Sequence, residues 1–239
     1  MRRAIVTGGS NGIGLAVVRL LLAGNAEVVS LDRAPTPLAH RNLRAIAVDL
    51  ADEAATHAAA QEAVGSGPAT MLVHNAGAVH PALLADARLD DLAALSRLHL
   101  SAALILAQAV LPGMRAEKFG RIVLVSSRSA LGLATRSAYA ATKAGLIGLA
   151  RTWALELGPD GITVNAVAPG PIETDMFHEI LPPGDPRIAA LAQSIPVRRL
   201  GRPDDVARAV AFLLEPASGF ITGQTLYVCG GTSIGSLGL

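Results

Sequence analysis

The chain is predicted to form a single doubly wound α/β domain, a parallel sheet of about seven strands with helices on both faces. Three observations predict it. Short runs rich in Val, Ile and Leu alternate with Ala- and Leu-rich stretches of helical length along all 239 residues. Half the residues are hydrophobic but aromatics reach only 3%, so the core must be built from Ala, Val, Leu and Ile, which suit helices packed closely on a parallel sheet. No linker or change of composition divides the sequence, so residues 1–239 read as one domain. Strand then helix, repeated, implies right-handed crossovers and one open sheet.

The elements follow in order. Ala4–Thr7 is a short β-rich run ended by glycines, and Gly12–Ala23 is the apolar helix after it. Glu27–Leu31 and Arg44–Val48 are the second and third strands, followed by the Ala-rich helix Asp52–Val64. Met71–His74 is the fourth strand, and Asp90–Met114 is a long Leu/Ala helix. Arg121–Ser126, the helix Ser137–Leu157 and the strand Thr163–Val167 make the next unit. Pro203–Leu214 and Thr225–Val228 complete the alternation. The Pro/Gly-rich stretch Pro169 to Pro196 is an elaboration before the last long helix. Its position suits a substrate lid, at about residues 170–200, over the carboxyl edge of the sheet.

Composition narrows the function. Net charge is +1 with both signs scattered and no basic cluster, so nucleic acid is not an expected partner. The single cysteine, Cys229, excludes an internal disulfide and reads as a small buried hydrophobe. No His/Asp/Glu cluster has ligand spacing, so no metal site is expected. The apolar run after Arg2-Arg3 is too short for a signal-peptide core. The charge-free stretch between Arg97 and Arg115 is interrupted by His99, Ser101, Gln108, Pro112 and Gly113. It reads as a buried or subunit-interface helix rather than a membrane span. The expectation is a soluble, cytoplasmic protein with no membrane partner.

Two constellations carry chemistry. The first strand runs into Thr7-Gly8-Gly9-Ser10-Asn11-Gly12-Ile13-Gly14, where a helix begins. Glycines permit a tight turn and close backbone approach to a pyrophosphate, and the helix N-terminus presents amides and a favourable dipole. The second strand ends at Leu31-Asp32-Arg33. An acidic residue there accepts hydrogen bonds from ribose hydroxyls and repels a 2′-phosphate, so Asp32 favours NAD over NADP, whereas Arg33 could pair with that phosphate. Asp49, after the third strand, could border the adenine pocket or cap the next helix. The second constellation is Tyr139-Ala140-Ala141-Thr142-Lys143. Residues four apart share a helix face, so the ammonium can reach the phenol and bring its pKa towards the working range.

These residues together resemble the short-chain dehydrogenase/reductase family, in its 3-oxoacyl reductase-like branch, over almost the whole chain. Thr7 to Gly14 is similar to its cofactor turn, which assigns Gly8, Ser10, Asn11, Gly12, Ile13 and Gly14 to the cofactor. His74-Asn75-Ala76-Gly77 resembles the segment after the fourth strand, with His in place of Asn; Asn75, Ala76 and Gly77 are its cofactor contacts. Tyr139 and Lys143 match the catalytic pair. Asn165 to Gly170, followed by Ile172 and Thr174, is similar to the segment on the nicotinamide side, so Pro169, Gly170, Ile172 and Thr174 join Asp32 and Asp49 in the cofactor set. Gly201-Arg202-Pro203, Thr222-Gly223-Gln224 and Gly230-Gly231 match the C-terminal portion.

The resemblance implies a Rossmann-type fold and hydride transfer between NAD(H) and a secondary alcohol or ketone. Tyr139 would be the general acid/base, Lys143 would lower its pKa and hold the nicotinamide ribose, and a serine would hydrogen-bond the substrate oxygen. Counting forward from Gly120 that serine is Ser127; counting back from Tyr139 by the common family spacing it is Ser126. Ser127 is chosen because strand registers slip less than loops, with Ser129 as an outside candidate. His99 stands where the family places an asparagine that holds a water of a proton relay. Imidazole can donate and accept, so the relay could pass through it or run differently, with a pH profile unlike that of an asparagine enzyme.

His80 and His178 are candidates to line the pocket, and His40 and His57 read as surface residues. The lid is mostly apolar (Ile172, Met176, Phe177, Ile180, Leu181), which suits an apolar ketone or an acyl chain whose polar end meets Arg187. Two other functions compete: an NADPH-dependent 3-oxoacyl-thioester reductase, and a catalytically inactive dinucleotide-binding regulatory protein. The wide apolar faces of Asp90–Met114 and Ser137–Leu157, which in the resembling family pair subunits, imply a homotetramer.

Overall fold

A computed structural model of the chain describes residues 2–234. Seven strands form one parallel sheet: β1 (Arg3–Thr7), β2 (Glu27–Asp32), β3 (Leu43–Ala47), β4 (Met71–His74), β5 (Gly120–Val125), β6 (Ile162–Pro169) and β7 (Thr225–Val228). Their spatial order is β3-β2-β1-β4-β5-β6-β7, the doubly wound arrangement expected. The chain reverses its winding direction between β1 and β4, and the carboxyl ends of these two strands open the crevice where such sheets take ligands.

Helices α1 (Gly12–Ala23), α2 (Glu53–Gly65), α3 (Leu89–Ser96), α4 (Ala102–Ala116), α5 (Ser137–Leu157) and α8 (Pro203–Leu214) cover both faces. Strand side chains alternate between the two layers. Ile5, Leu72, Ile122 and Val164 face α2, α4 and α5, while Val6, Val73, Val123 and Val167 face α1 and α8. All eight are fully buried, each contributing about 1.5–3 kcal/mol relative to exposure. The contacting helix faces are made of small residues such as Ala59, Ala63, Ala103 and Ala107, which let helices approach the sheet closely despite the lack of aromatics.

The ends of β1, β2, β3, β5 and β6 lie one or two residues from those expected, and three larger departures bear on the site. The predicted helix Asp90–Met114 is α3 and α4 joined by a π-helical turn, Arg97–Ser101, that carries His99. The whole run Leu89–Ala116 is long and apolar enough to cross a membrane, but Leu95, Ala103, Leu106, Val110 and Met114 are buried in the core. Asp52 lies outside α2 and caps it, its carboxylate accepting from the Ala55 amide at 2.9 Å. The stretch expected to be a lid, for which no helix was read from the sequence, contains two, α6 (Asp175–Ile180) and α7 (Pro186–Ser194). Thr174 caps the first and Asp185 caps the second, with Pro186 at its start.

Candidate active site

The glycine turn is built by close approach. Gly8 and Gly12 take positive φ (65° and 49°), and a Cβ on Gly14 would lie 1.9 Å from the Gly8 carbonyl oxygen. Asn11 caps α1 with its backbone only, leaving the first-turn amides without intrahelical partners beside the cavity. Thr7 locks this turn to β4: its hydroxyl accepts from the Asn75 and Ala76 amides, both at 2.9 Å. The Asn75 side chain donates back to the Thr7 and Gly8 carbonyls at 3.1 Å.

One cavity of about 770 Å³ runs along the carboxyl edge from this turn to Tyr139. Gly8, Asn11, Gly12, Ile13, Asp32 and Asp49 line one end, and Asn75, Ala76, Gly77, Pro169, Gly170, Ile172 and Thr174 its middle. Two residues assigned to the cofactor do not reach it. Ser10 is buried, its hydroxyl donating to the Ala34 carbonyl at 2.8 Å, and Gly14 serves the turn from behind. The Asp32 carboxylate accepts from the Ser10 and Ala34 amides at 2.9 and 3.1 Å, so it is held rigidly at the mouth of the adenosine end. Asp49 is not a helix cap; it accepts from the Ala51 amide at 2.9 Å and faces Arg33 at 4.0 Å. Val48 and Leu50, which no sequence motif marked, give this end its apolar wall. The cradle fits a dinucleotide: amides and glycines for a pyrophosphate, a fixed carboxylate for ribose hydroxyls, apolar walls for a base.

At the other end Ser127, Tyr139 and Lys143 converge. The Ser127 side chain interacts with the Tyr139 phenol, and its oxygen also accepts from the Ser129 amide at 3.1 Å. Ser126 points the opposite way, donating to the Lys143 carbonyl at 2.7 Å, and Ser129 is buried. The strand alternation thus places Ser127 beside the phenol. Lys143 Nζ donates to the Val125 carbonyl at 2.8 Å and lies 5.6 Å from the Tyr139 ring centre.

Electrostatics here differ from the expected phenol–ammonium pairing. Burial pushes the Tyr139 phenol up, opposed by Ser127 and by the charge of Arg136. Burial also pulls Lys143 down to about 7. Among the described residues no carboxylate lies against it, so the ammonium loses its charge near neutrality and does not hold the phenol down.

His99 packs edge-on to Tyr139, ring centres 5.8 Å apart. Its Nε2 accepts from the Ala78 amide at 3.3 Å and its Nδ1 meets the Thr142 hydroxyl at 2.8 Å. Thr142 donates its proton to the carbonyl of Tyr139 or Ala138, so Nδ1–H is the donor and the ring is neutral. Both nitrogens are occupied, which leaves the imidazole no free site for relaying a proton. Burial and the charge of Lys143 hold its pKa far below the usual histidine range.

His80 lines the cavity and His178 does not; His178 packs on Phe177 instead. His40 and His57 are exposed. Met176, Phe177, Ile180 and Leu181 reach the cavity from α6 and the residue after it, but Arg187 is paired with Asp185 at 2.6 Å on the exposed side of α7. The arginines that line the cavity are Arg128 and Arg136 besides Arg33, and only the position of Arg136 one turn before Tyr139 hinted at it.

A doubly wound sheet with a dinucleotide cradle at its switch point and a Ser–Tyr–Lys cluster across the same cavity defines a nicotinamide-dependent oxidoreductase of Rossmann type. A family model described as enoyl-(acyl carrier protein) reductase matches residues 8–233. The chain belongs to the short-chain dehydrogenase/reductase family. It is 38% identical over 244 residues to BbsD of Thauera aromatica, a subunit of (2S)-((R)-hydroxy(phenyl)methyl)succinyl-CoA dehydrogenase, covering 98% of this chain and 97% of that one. It is 37% identical over 236 residues to the 3-oxoacyl-(acyl-carrier-protein) reductase FabG of Vibrio cholerae, covering 95% and 96%. Among solved structures, a blue fluorescent protein from a metagenomic library in complex with NADPH matches with a TM-score of 0.85 at 34% identity, covering 96% and 97%.

Proposed function

We propose that the protein transfers hydride between NAD(H) and a secondary alcohol or ketone, with Tyr139 as the general acid/base. The observation that carries this reading is the convergence of Ser127, Tyr139 and Lys143 at one end of a cavity whose other end presents Asp32. Bound in the cradle, the nicotinamide would supply or accept the hydride. Gly8, Asn11, Gly12 and Ile13 would hold the pyrophosphate, Asp32 the adenosine ribose, and Pro169 to Thr174 the nicotinamide side. In reduction the Tyr139 phenol gives its proton to the carbonyl oxygen, which the Ser127 hydroxyl orients and stabilises as charge develops. Lys143, when charged, stabilises the tyrosinate left behind.

Asp32 supports NAD, because a carboxylate at the end of β2 would accept from ribose hydroxyls and repel a 2′-phosphate, and Arg33 lies 4.0 Å from Asp49. The second reading, an NADPH-dependent 3-oxoacyl-thioester reductase, is favoured by the likeness to FabG and to the NADPH-bound structure. Assays of the purified protein with NADH and NADPH across ketones and 3-oxoacyl thioesters separate the two. A strong NADPH preference defeats the role given to Asp32. Tyr139→Phe should cut turnover by about 10²–10⁴-fold while leaving dinucleotide binding intact; binding without any turnover in the wild type would make the chain a regulatory dinucleotide sensor. We also propose a homotetramer, supported by Leu104 on α4 and Leu155 on α5, both exposed apolar side chains; light scattering that gives a monomer refutes it.

A further inference from the structure

The substrate end of the cavity is walled by two guanidinium groups that the hydride-transfer reading does not use. Arg128 and Arg136 both line it, both are half-buried, and among the described residues neither has a carboxylate partner. Arg128 donates from Nε to the Thr232 carbonyl at 3.3 Å. Arg136 donates from Nη1 to the Thr135 hydroxyl at 2.6 Å and to the Thr135 carbonyl at 3.3 Å. A guanidinium has five N–H donors, so most of the Arg136 fork stays uncommitted. The acidic residues lining the cavity do not offset it: Asp32 and Asp49 belong to the adenosine end, and Asp175 begins α6.

The backbone around Arg136 is built to hold it. Thr135, a β-branched residue, takes φ +67°, a conformation disfavoured for such side chains, and its hydroxyl is the partner of the guanidinium. The Ala82 amide donates to the Thr135 carbonyl at 3.0 Å, tying the strained residue to the loop across the pocket mouth. Arg136 then caps α5 one turn before Tyr139, so the two side chains rise on the same side of the helix start. The Arg136 charge is felt at the phenol, where it opposes the effect of burial. A half-buried cation without a counter-ion, pinned at the rim of a reaction cavity, is matched by an anionic group on the ligand; a planar fork suits a carboxylate in bidentate contact.

We propose that Arg136 is a substrate-binding residue that selects a ketone or secondary alcohol bearing a carboxylate a few bonds from the reacting carbon, an oxo acid or hydroxy acid, with Arg128 adding to the positive field. This rests on the hydride-transfer reading. It corrects the expectation that Arg187 would meet the polar end of the substrate.

The test compares a series of 3-oxo acids with their methyl esters and their CoA thioesters, with NADH and NADPH, in the wild type, Arg136→Gln and Arg136→Lys. The wild type should favour acid over ester by about 10–100-fold in kcat/KM, mostly through KM, as expected for a charge-assisted contact. Arg136→Gln should erase that preference, bringing the acid/ester ratio of kcat/KM close to one whatever the common change in rate, and Arg136→Lys should restore part of it. Equal discrimination in wild type and Arg136→Gln overturns the proposal. So does an Arg136 dependence confined to the CoA thioesters, which would make the anion a phosphate. Calorimetry with the same 3-oxo acids keeps the two readings apart. If no carbonyl is reduced, yet the acids bind the wild type and not Arg136→Gln, the anion site stands and the hydride-transfer reading falls. If the acids bind neither protein, the anion site falls.

Discussion

Replacing Lys143 with Met should make the cofactor-free protein more stable at neutral pH while ending catalysis. The lysine is buried with a pKa of about 7, against 10.5 for a free lysine, and burial is the cause. The folded state therefore disfavours the charged form, and between pH 7 and 10.5 the unfolded chain binds the extra proton. Stability rises with pH across that window, and below it the full penalty applies. The difference, 10.5 − 7 = 3.5 units, is worth about 5 kcal/mol at 1.36 kcal/mol per unit, of which about 4 kcal/mol acts at pH 7. The Met variant loses the hydrogen bond from Nζ to the Val125 carbonyl, a loss of about 1 kcal/mol. The net gain is about 3 kcal/mol at pH 7, shrinking to about 1 kcal/mol at pH 9. Tyr139, whose pKa is raised above the usual value near 10, keeps its proton in both states up to about pH 9 and does not blur the comparison there. Urea unfolding of both proteins at several pH values, without cofactor, reads the difference directly. A Met variant less stable than the wild type at pH 7, or a difference that does not change with pH, would refute the account of Lys143 as a desolvated charge.

Three further outcomes follow from the same geometry. Reduction should slow as pH rises through about 7, because Lys143 then loses the charge that stabilises tyrosinate, whereas alcohol oxidation, which needs the raised Tyr139 phenol deprotonated, should gain at alkaline pH; parallel kcat/KM profiles in the two directions check both signs. Gly14→Ala should abolish dinucleotide binding or folding, since its Cβ would meet the Gly8 carbonyl oxygen at 1.9 Å with only backbone to yield; NADH titration followed by fluorescence, with circular dichroism as control, shows which. Asp32→Ala should raise the KM for NADH by about tenfold or more, as charge-assisted contacts to ribose are lost, and narrow the gap to NADPH; steady-state kinetics with both cofactors measure it.

Much of the fold was legible because its punctuation is local. The bounds of α1, α5, α8, β4 and β7 match those read from sequence, where glycines, prolines and changes of period mark them. The lid helices were not, because Pro and Gly density hid two short helices that rest on single caps, Thr174 and Asp185. At the site, spacing placed Lys143 beside the Tyr139 ring, but spacing carries no information on burial, and burial turned the electrostatics the other way. The choice between Ser126 and Ser127 depended on which way a strand end presents its side chains, a three-dimensional fact that a count from either side approaches only by assuming where the loop is short. Arg187 and Arg136 are equally basic in a sequence; one has an aspartate two residues away, and the other has none in reach among the described residues.

The histidines at positions 74 and 99, both standing where the family resemblance places asparagine, lie on one buried wall against Lys143. The Thr7 hydroxyl accepts from two backbone amides, so its own proton goes to His74 Nδ1 at 3.1 Å, leaving Nε2–H without a partner near the Leu98 and His99 carbonyls of the π-helical turn. Burial, followed by the charge of Lys143, lowers the His74 pKa to about 3, and His99 is lowered further. Both rings are therefore neutral wherever the enzyme could work, and His99 has each nitrogen spent on Thr142 and Ala78. A Cβ on Gly77 would come within 3.0 Å of His99 Nε2 and 3.3 Å of Lys143 Nζ, so the imidazole also fills space that a shorter side chain would leave to water. On the hydride-transfer reading, the proton that Tyr139 gives up would then be replaced from the cavity side rather than through this wall. His99→Asn should accordingly lower stability by about 1–3 kcal/mol, through loss of the bond to Thr142 and of the acceptor for the Ala78 amide, yet leave the apparent pKa of the reduction profile in place. A displacement of that pKa by a full unit or more, without a matching change in KM, would return His99 to the proton path.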